Sequence, residues 1–186
     1  IFVDSLGLWG ASKPSDGLGM RFPQYSNLDY VQANYRLLKD ELGVAKVKLA
    51  TGVSMGAIQS YIWAVLHPDY VEAIMPVGGI TASFDFRNKQ SWDVVKKDVF
   101  YWHPEGEEGA SLVKKANDYD VNDLLYRNRA GDTYDINDQL HRIKAKTLII
   151  HVENDQWLRY EMAKKAAKCI KGAKLVGFES PLAHYA

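Results

Sequence analysis

Cysteine is almost absent from this chain. The single Cys169 among 186 residues cannot form an internal disulfide, so an apolar core must hold the fold. A reducing compartment, the cytoplasm, is the expected location. Cys169 falls beside Ile170 on an expected helix, where a buried structural thiol is the expectation. Long apolar runs are missing too; none approaches the ~20 residues needed to cross a bilayer, and no membrane association is expected. Charge of one sign is lacking: 23 Lys and Arg balance 23 Asp and Glu, for a formal net charge of zero. With no basic run and no basic–aromatic stripe, a nucleic-acid partner is not expected. Histidines and carboxylates do not fall at metal-ligand spacing, and no glycine-rich phosphate cradle is present, so neither a metal nor a bound cofactor is expected. The chain opens on Ile1-Phe2-Val3-Asp4, with no initiator methionine or leader, and stops at Ala186. It therefore reads as a piece of a longer protein, or as its ordered part. What remains, 47% apolar and 25% charged residues, is an ordinary globular composition, enough for a single domain over residues 1–186.

The most informative stretch runs from Lys46 to Gln59. Val47, Leu49 and Ala50 read as a strand, Gly52-Val53-Ser54-Met55-Gly56 as a tight turn, and Ile58, Ile62, Val65 and Leu66 as a helix closing at His67-Pro68. Strand, G-x-S-x-G and helix in that order form a nucleophile elbow. A serine on so sharp a turn sits in a strained conformation with its oxygen above the sheet edge, and its neighbours need almost no side chain. The Met55 amide, opening the helix, points where an oxyanion would develop. The alternative is a glycine-rich loop whose serine is merely hydrogen-bonded.

Ile1–Val3 reads as a short strand, followed by a long loop rich in Gly, Ser and Pro through Gly19 and an irregular tail to Tyr25. Such a loop is either a surface connection or a border of the active-site mouth. A helix capped by Ser26 or Asn27 carries Leu28, Val31, Tyr35, Leu38 and Leu42 on one face and ends at Gly43. Val71–Val77 and Ala145–Val152 read as buried parallel strands, and Ala173–Phe178 as a last one; a helix spans about Tyr160 to Ile170. Between them, residues 81–140 hold helical segments near Trp92–Phe100, Ser111–Ala116 and Val121–Asn128 and no clean strand. This excursion reads as a lid over the site or as ordinary packing helices. Alternating strands and helices predict a mostly parallel α/β sheet with helices on both faces.

A serine nucleophile needs a base, and the base an orienting carboxylate. His67 sits at a helix end, His103 and His141 in polar segments, and His151 inside a strand; His184 alone follows a terminal strand in a loop. Asp155 lies just past a strand end, with Glu153 and Asp132 as weaker acids. Asp155 also fits a helix N-cap, and His184 a disordered tail. Serine, aspartate, histidine, each after a different strand, is the order of α/β-hydrolases, and in a parallel sheet all these loops emerge on one edge.

These stretches are similar to a known family. Asp4-Ser5-Leu6-Gly7 with its Gly-Ser-Pro loop, Arg21-Phe22-Pro23, Asp29–Ala33 with Arg36-Leu37-Leu38, Gly52–Val65, His67-Pro68-Asp69, Asn122–Tyr126, Ile143–Ala145 and Ser180–His184 together resemble the α/β-hydrolase fold. Within it they resemble the homoserine O-acetyltransferase family. The resemblance implies a Ser54–His184–Asp155 triad that takes an acyl group from acetyl-CoA, as co-substrate, and passes it to a hydroxyl acceptor, homoserine in the family. It also implies that residues 81–140 form a lid and a homodimer contact. A lid arginine would hold the acceptor's carboxylate, Arg87 first and Arg127 or Arg129 otherwise, with Gln59 a further substrate-binding candidate. The chain departs from the family at Ala57, usually glycine, and at Ala183 and Tyr185, usually glycine and an acid. It departs again at Trp157–Tyr160, usually Leu-Phe-Pro-Pro, and in a shorter lid. The family's early strands, with the loop giving the second oxyanion donor, have no counterpart in it. Hydrolysis of esters on the same scaffold, or binding without catalysis, are the competing readings.

Overall fold

A computed structural model of the chain describes residues 1–7, 10–82, 120–131, 134–155 and 157–186. Among these residues a sheet forms from β1 (Ala50–Val53), β2 (Ala73–Val77), β3 (Lys146–Val152) and β4 (Lys174–Phe178), in the spatial order β1-β2-β3-β4. Every neighbouring pair is parallel, with Val53 opposite Val77, Val77 opposite Ile150 and Val152 opposite Phe178. All the strands therefore end on the same edge. The central strands are mostly apolar because covering helices bury them; Ile74 and Ile149 are each 1% exposed.

Helix α1 (Asn27–Arg36) starts where the Asp29 carboxylate accepts hydrogen bonds from the Ser26 N–H (2.8 Å) and hydroxyl (2.7 Å), closing the first turn. It widens into a π-helical turn at Leu37–Glu41. That extra residue per turn rotates Leu42 off the inner face, so Leu42 is exposed rather than packed as its spacing predicts. Helix α2 (Met55–Leu66) is apolar all round and correspondingly buried, with Ala57, Tyr61, Ile62, Ala64 and Val65 fully enclosed. It ends at His67, whose N–H still donates to Trp63 O at 2.9 Å before Pro68 breaks the pattern. Val31, Tyr61, Ile62, Ile74, Leu140 and Ile149 belong to one core cluster joining α1, α2 and the sheet.

Helix α3 (Val121–Gly131) holds the long glycine-rich loop down. The Asp123 carboxylate accepts from the Ser15 N–H (2.9 Å) and hydroxyl (2.6 Å), and the Tyr126 hydroxyl donates to Met20 O at 2.9 Å. Phe22, Tyr25, Tyr30, Tyr126 and Ala130 form a second cluster, onto which Leu6 and Met55 pack. The loop is thus a wall beside the elbow. The helices expected near residues 92–100 and 111–116 lie outside the described residues.

Helix α4 (Tyr160–Cys169) turns Ala163 and Ala166 inward, with Ile170 buried just after its end. Cys169 is the last residue of the helix and lies off the face that carries Ala163 and Ala166; the thiol is exposed, not buried as expected. The N-terminal expectation is corrected too. Ile1–Val3 is not a strand, and Ile1 and Phe2 stand in solvent, since three apolar residues make a strand only beside a neighbour to pair with. No helix among the described residues is long and apolar enough to cross a membrane.

Candidate active site

Ser54 is the residue between β1 and α2, and its backbone is left-handed at φ 54°, ψ −114°. A non-glycine side chain persists there only when its surroundings enforce it. Its N–H donates to Val77 O at 2.9 Å, extending the β1–β2 ladder, while Ser54 O accepts the first bonds of α2 from Ala57 (3.0 Å) and Ile58 (3.1 Å). The turn is tight enough that a Cβ on Gly52 would lie 2.6 Å from the Gly56 carbonyl carbon. One step further, a Cβ on Gly79 would fall 2.4 Å from the Ala57 Cβ. Gly79 therefore leaves the room that Ala57 fills, where the family usually has a glycine. Met55 is the first residue of α2, where an amide has no carbonyl one turn back to donate to and faces outward along the helix axis.

Asp155 follows β3 and His184 follows β4, and the sheet brings both to the edge where Ser54 stands. His184 Nδ1 lies 2.6 Å from Asp155 Oδ2, and His184 Nε2 lies 2.9 Å from Ser54 Oγ. A carboxylate only accepts, so Nδ1 carries the proton and Nε2 accepts from the Ser54 hydroxyl. The other carboxylate oxygen, Asp155 Oδ1, accepts from the N–H groups of Trp157 (2.8 Å) and Leu158 (2.9 Å), which fixes the plane of the acid. Both side chains are shielded, His184 at 6% and Asp155 at 0% exposure. The Trp157 ring stands against the His184 ring with centroids 4.9 Å apart. Hydroxyl, imidazole and carboxylate in series can shift a proton from oxygen to nitrogen without moving any heavy atom far.

The remaining candidates are placed as follows. Gln59 Nε2 donates to the buried Ser5 hydroxyl at 2.8 Å, so its amide fastens the start of the long loop to α2. Arg87, His103 and Asp132 lie outside the described residues. Arg129 is exposed, and Arg127 is half-buried on α3. His151 is fully buried within β3, and burial pushes its pKa below the ordinary histidine value. His67 stacks on Tyr35 with centroids 3.7 Å apart, far along α2 from Ser54. Glu153 and His141 are exposed. Sequence reasoning missed Ser5 and the ring contact of Trp157; only the departure from Leu-Phe-Pro-Pro marked the latter. Among the described residues no group of three or more His, Cys, Asp and Glu is placed to hold a metal ion.

A parallel sheet bearing a strained serine after one strand, with acid and imidazole on the loops after two others, defines the α/β-hydrolase fold. The acetylester hydrolase of Corynebacterium glutamicum shares it, with a TM-score of 0.70 over 88% of this chain and 62% of that one at 22% identity. The chain thus spans under two thirds of that structure's length. No family model matches the chain. Over 224 aligned residues it is 30% identical to the probable acyltransferase of Methanothermobacter thermautotrophicus, covering 99% of this chain and 69% of that protein. Over 61 residues it is 43% identical to the homoserine O-acetyltransferase of Symbiobacterium thermophilum, covering 33% of this chain and 16% of that protein. The chain belongs to the family of that probable acyltransferase and has the α/β-hydrolase fold.

Proposed function

We propose that this protein is a serine-dependent O-acyltransferase, with Ser54 as nucleophile, His184 as general base and Asp155 as the acid that orients it. The observation carrying the reading is the unbroken hydrogen-bond path from Ser54 Oγ through His184 to Asp155, at 2.9 and 2.6 Å. Ser54 Oγ attacks the carbonyl carbon of an acyl thioester such as acetyl-CoA as its proton passes to His184 Nε2. The Met55 N–H stabilises the oxyanion. Collapse breaks the carbon–sulfur bond, His184 returns the proton to the departing thiolate, and an acyl-serine remains. An acceptor hydroxyl then gives its proton to His184 and attacks the ester; collapse releases the new ester and re-protonates Ser54.

A lid over residues 81–140 fits this chemistry, because transfer must compete with water. The flanks of that segment support the assignment. Ala82 bridges Asp135 in antiparallel fashion, the Ile136 N–H donates to Thr81 O at 3.0 Å, and the Tyr134 hydroxyl donates to Ile80 O. The two ends of the segment, residues 80–82 and 134–136, lie against each other, as the ends of an inserted cap do, and Ile136 and Leu140 return the chain to the main core.

Ester hydrolysis is the second reading, favoured by the likeness to the acetylester hydrolase fold and by short matches to esterases such as the ethyl acetate hydrolase of Pseudomonas veronii. The two share every residue named. Incubation with acetyl-CoA and homoserine, beside p-nitrophenyl acetate alone, separates them. O-acetylhomoserine supports transfer; ester cleavage without transfer to any hydroxyl acceptor leaves hydrolysis.

A further inference from the structure

Among the described residues, the backbone hydrogen bond joining β3 and β4 nearest the site is that of the Glu153 N–H donating to Phe178 O at 2.8 Å. Past it the chains diverge, one toward Asp155 and the other toward His184. At that point a side chain takes over the pairing. Asn154 Nδ2 donates to Ser180 O at 2.8 Å, and Asn154 Oδ1 accepts from the Ser180 N–H at 3.1 Å. A carboxamide has the donor–acceptor pair of a peptide group, so Asn154 acts as one more rung of the ladder. It joins the residue just before the acid to the residue four before the base.

We propose that Asn154 is a positioning residue, an amide clamp that sets the separation of the Asp155 and His184 loops and so the aim of the imidazole at Ser54. The proposal rests on the catalytic reading of those three residues. Closer to the site the two loops also meet through the His184–Asp155 bond and the Trp157–His184 ring contact, and the geometry of both follows from the spacing the clamp sets. The Ser180 side chain is spent locally, its Oγ accepting from the Leu182 N–H at 3.1 Å, so the clamp uses only the backbone of residue 180. The requirement falls on Asn154 alone: alanine makes neither bond, aspartate keeps the acceptor but presents a carboxylate to the Ser180 carbonyl, and glutamine is a methylene too long. Because Asn154 is exposed, water replaces its bonds at small cost to global stability. Loss of aim is expensive, since a misplacement of ~1 Å at a reacting group costs up to ~100-fold in rate.

The test measures labelling of Ser54 by a fluorophosphonate and hydrolysis of p-nitrophenyl acetate in the full protein and in Asn154→Ala and Asn154→Asp. Wild type should label at Ser54. Both variants should label about tenfold more slowly and lose kcat to the same degree, with KM changed less than about twofold and thermal midpoints within a few degrees of wild type. The downfield Nδ1–H proton of His184, which reports its bond to Asp155, should broaden in both. If wild type labels and the variants label equally fast with that proton unchanged, the clamp is wrong and the catalytic reading stands. If either variant loses rate only in proportion to a fall in folded fraction, the clamp is again overturned, Asn154 being merely structural. If Ser54 of wild type does not label, both fall together.

Discussion

His184 donates its Nδ1 proton to Asp155 Oδ2 across 2.6 Å while its Nε2 faces the Ser54 hydroxyl at 2.9 Å. The carboxylate therefore selects the tautomer, since only an acceptor at that position leaves Nε2 free to take a proton. Asp155→Asn can keep the bonds from Trp157 and Leu158 through its amide oxygen, but turns an NH2 toward Nδ1 and favours the wrong tautomer. We expect kcat on p-nitrophenyl acetate to fall by roughly 10³–10⁴ with KM nearly unchanged and the urea midpoint little altered. A variant within tenfold of wild type would remove Asp155 from the proposed triad.

At Gly52 the neighbours are main chain rather than a movable side chain. A Cβ there would sit 2.6 Å from the Gly56 carbonyl carbon and 2.7 Å from its Cα, so the elbow itself must open. Gly52→Ala should lower stability by about 1–3 kcal/mol, as other overpacked sites do, and should cut Ser54 labelling in the fraction that remains folded. Urea denaturation alongside labelling separates the two effects. Unchanged labelling would mean the turn is not held by this contact.

Ala183 sits at φ 46°, in the region where a Cβ crowds its own carbonyl, immediately before His184. The family usually has glycine there. Relieving a left-handed alanine returns ~1–2 kcal/mol, of which ~0.4–1 kcal/mol is offset by the greater freedom of glycine when unfolded. Ala183→Gly should thus raise the unfolding free energy from urea titration modestly, by about 0.5 kcal/mol, and leave activity intact. A destabilised variant would show that the alanine methyl, 9% exposed, contributes more by packing than its backbone loses.

What could be read from the sequence divides along physical lines. The strands at Ala73–Val77 and Lys146–Val152 stood out because covered strands gather apolar residues, Ile74 to Val77 in one and Leu148 to Ile150 in the other. Ser54, Asp155 and His184 were legible because each lies at a strand end, and a parallel sheet gathers strand ends on one edge whatever the loops do. Ile1–Val3 misled because apolar character marks a strand only when a partner exists. Cys169 and Leu42 misled through phase: a one-residue step round a helix, or one π turn, exchanges inside for outside. The ties of Ser15 to Asp123 and of Asn154 to Ser180 left no local trace. Each joins residues far apart in sequence through a polar pair that, read linearly, is indistinguishable from surface.

Two histidines outside the site should make the fold acid-sensitive. Burial holds His151 below the ordinary histidine pKa, and burial followed by the charge of Lys39 does the same to His67. The Nε2 of each is buried with no hydrogen-bond partner among the described residues. With the folded-state value depressed, the unfolded chain takes up the proton first as pH falls. Their contribution is therefore complete above about pH 6.5, the free-histidine value, and is lost progressively below it, at no more than about 1.4 kcal/mol per pH unit for each proton. Urea midpoints measured from pH 8 to pH 5 should fall on the acid side of that point. His67→Phe keeps the ring that lies 3.7 Å from Tyr35 but removes the titrating nitrogen, and should flatten the decline. His151→Leu should flatten it independently. Slopes identical to wild type in both variants would assign the acid sensitivity to carboxylates instead.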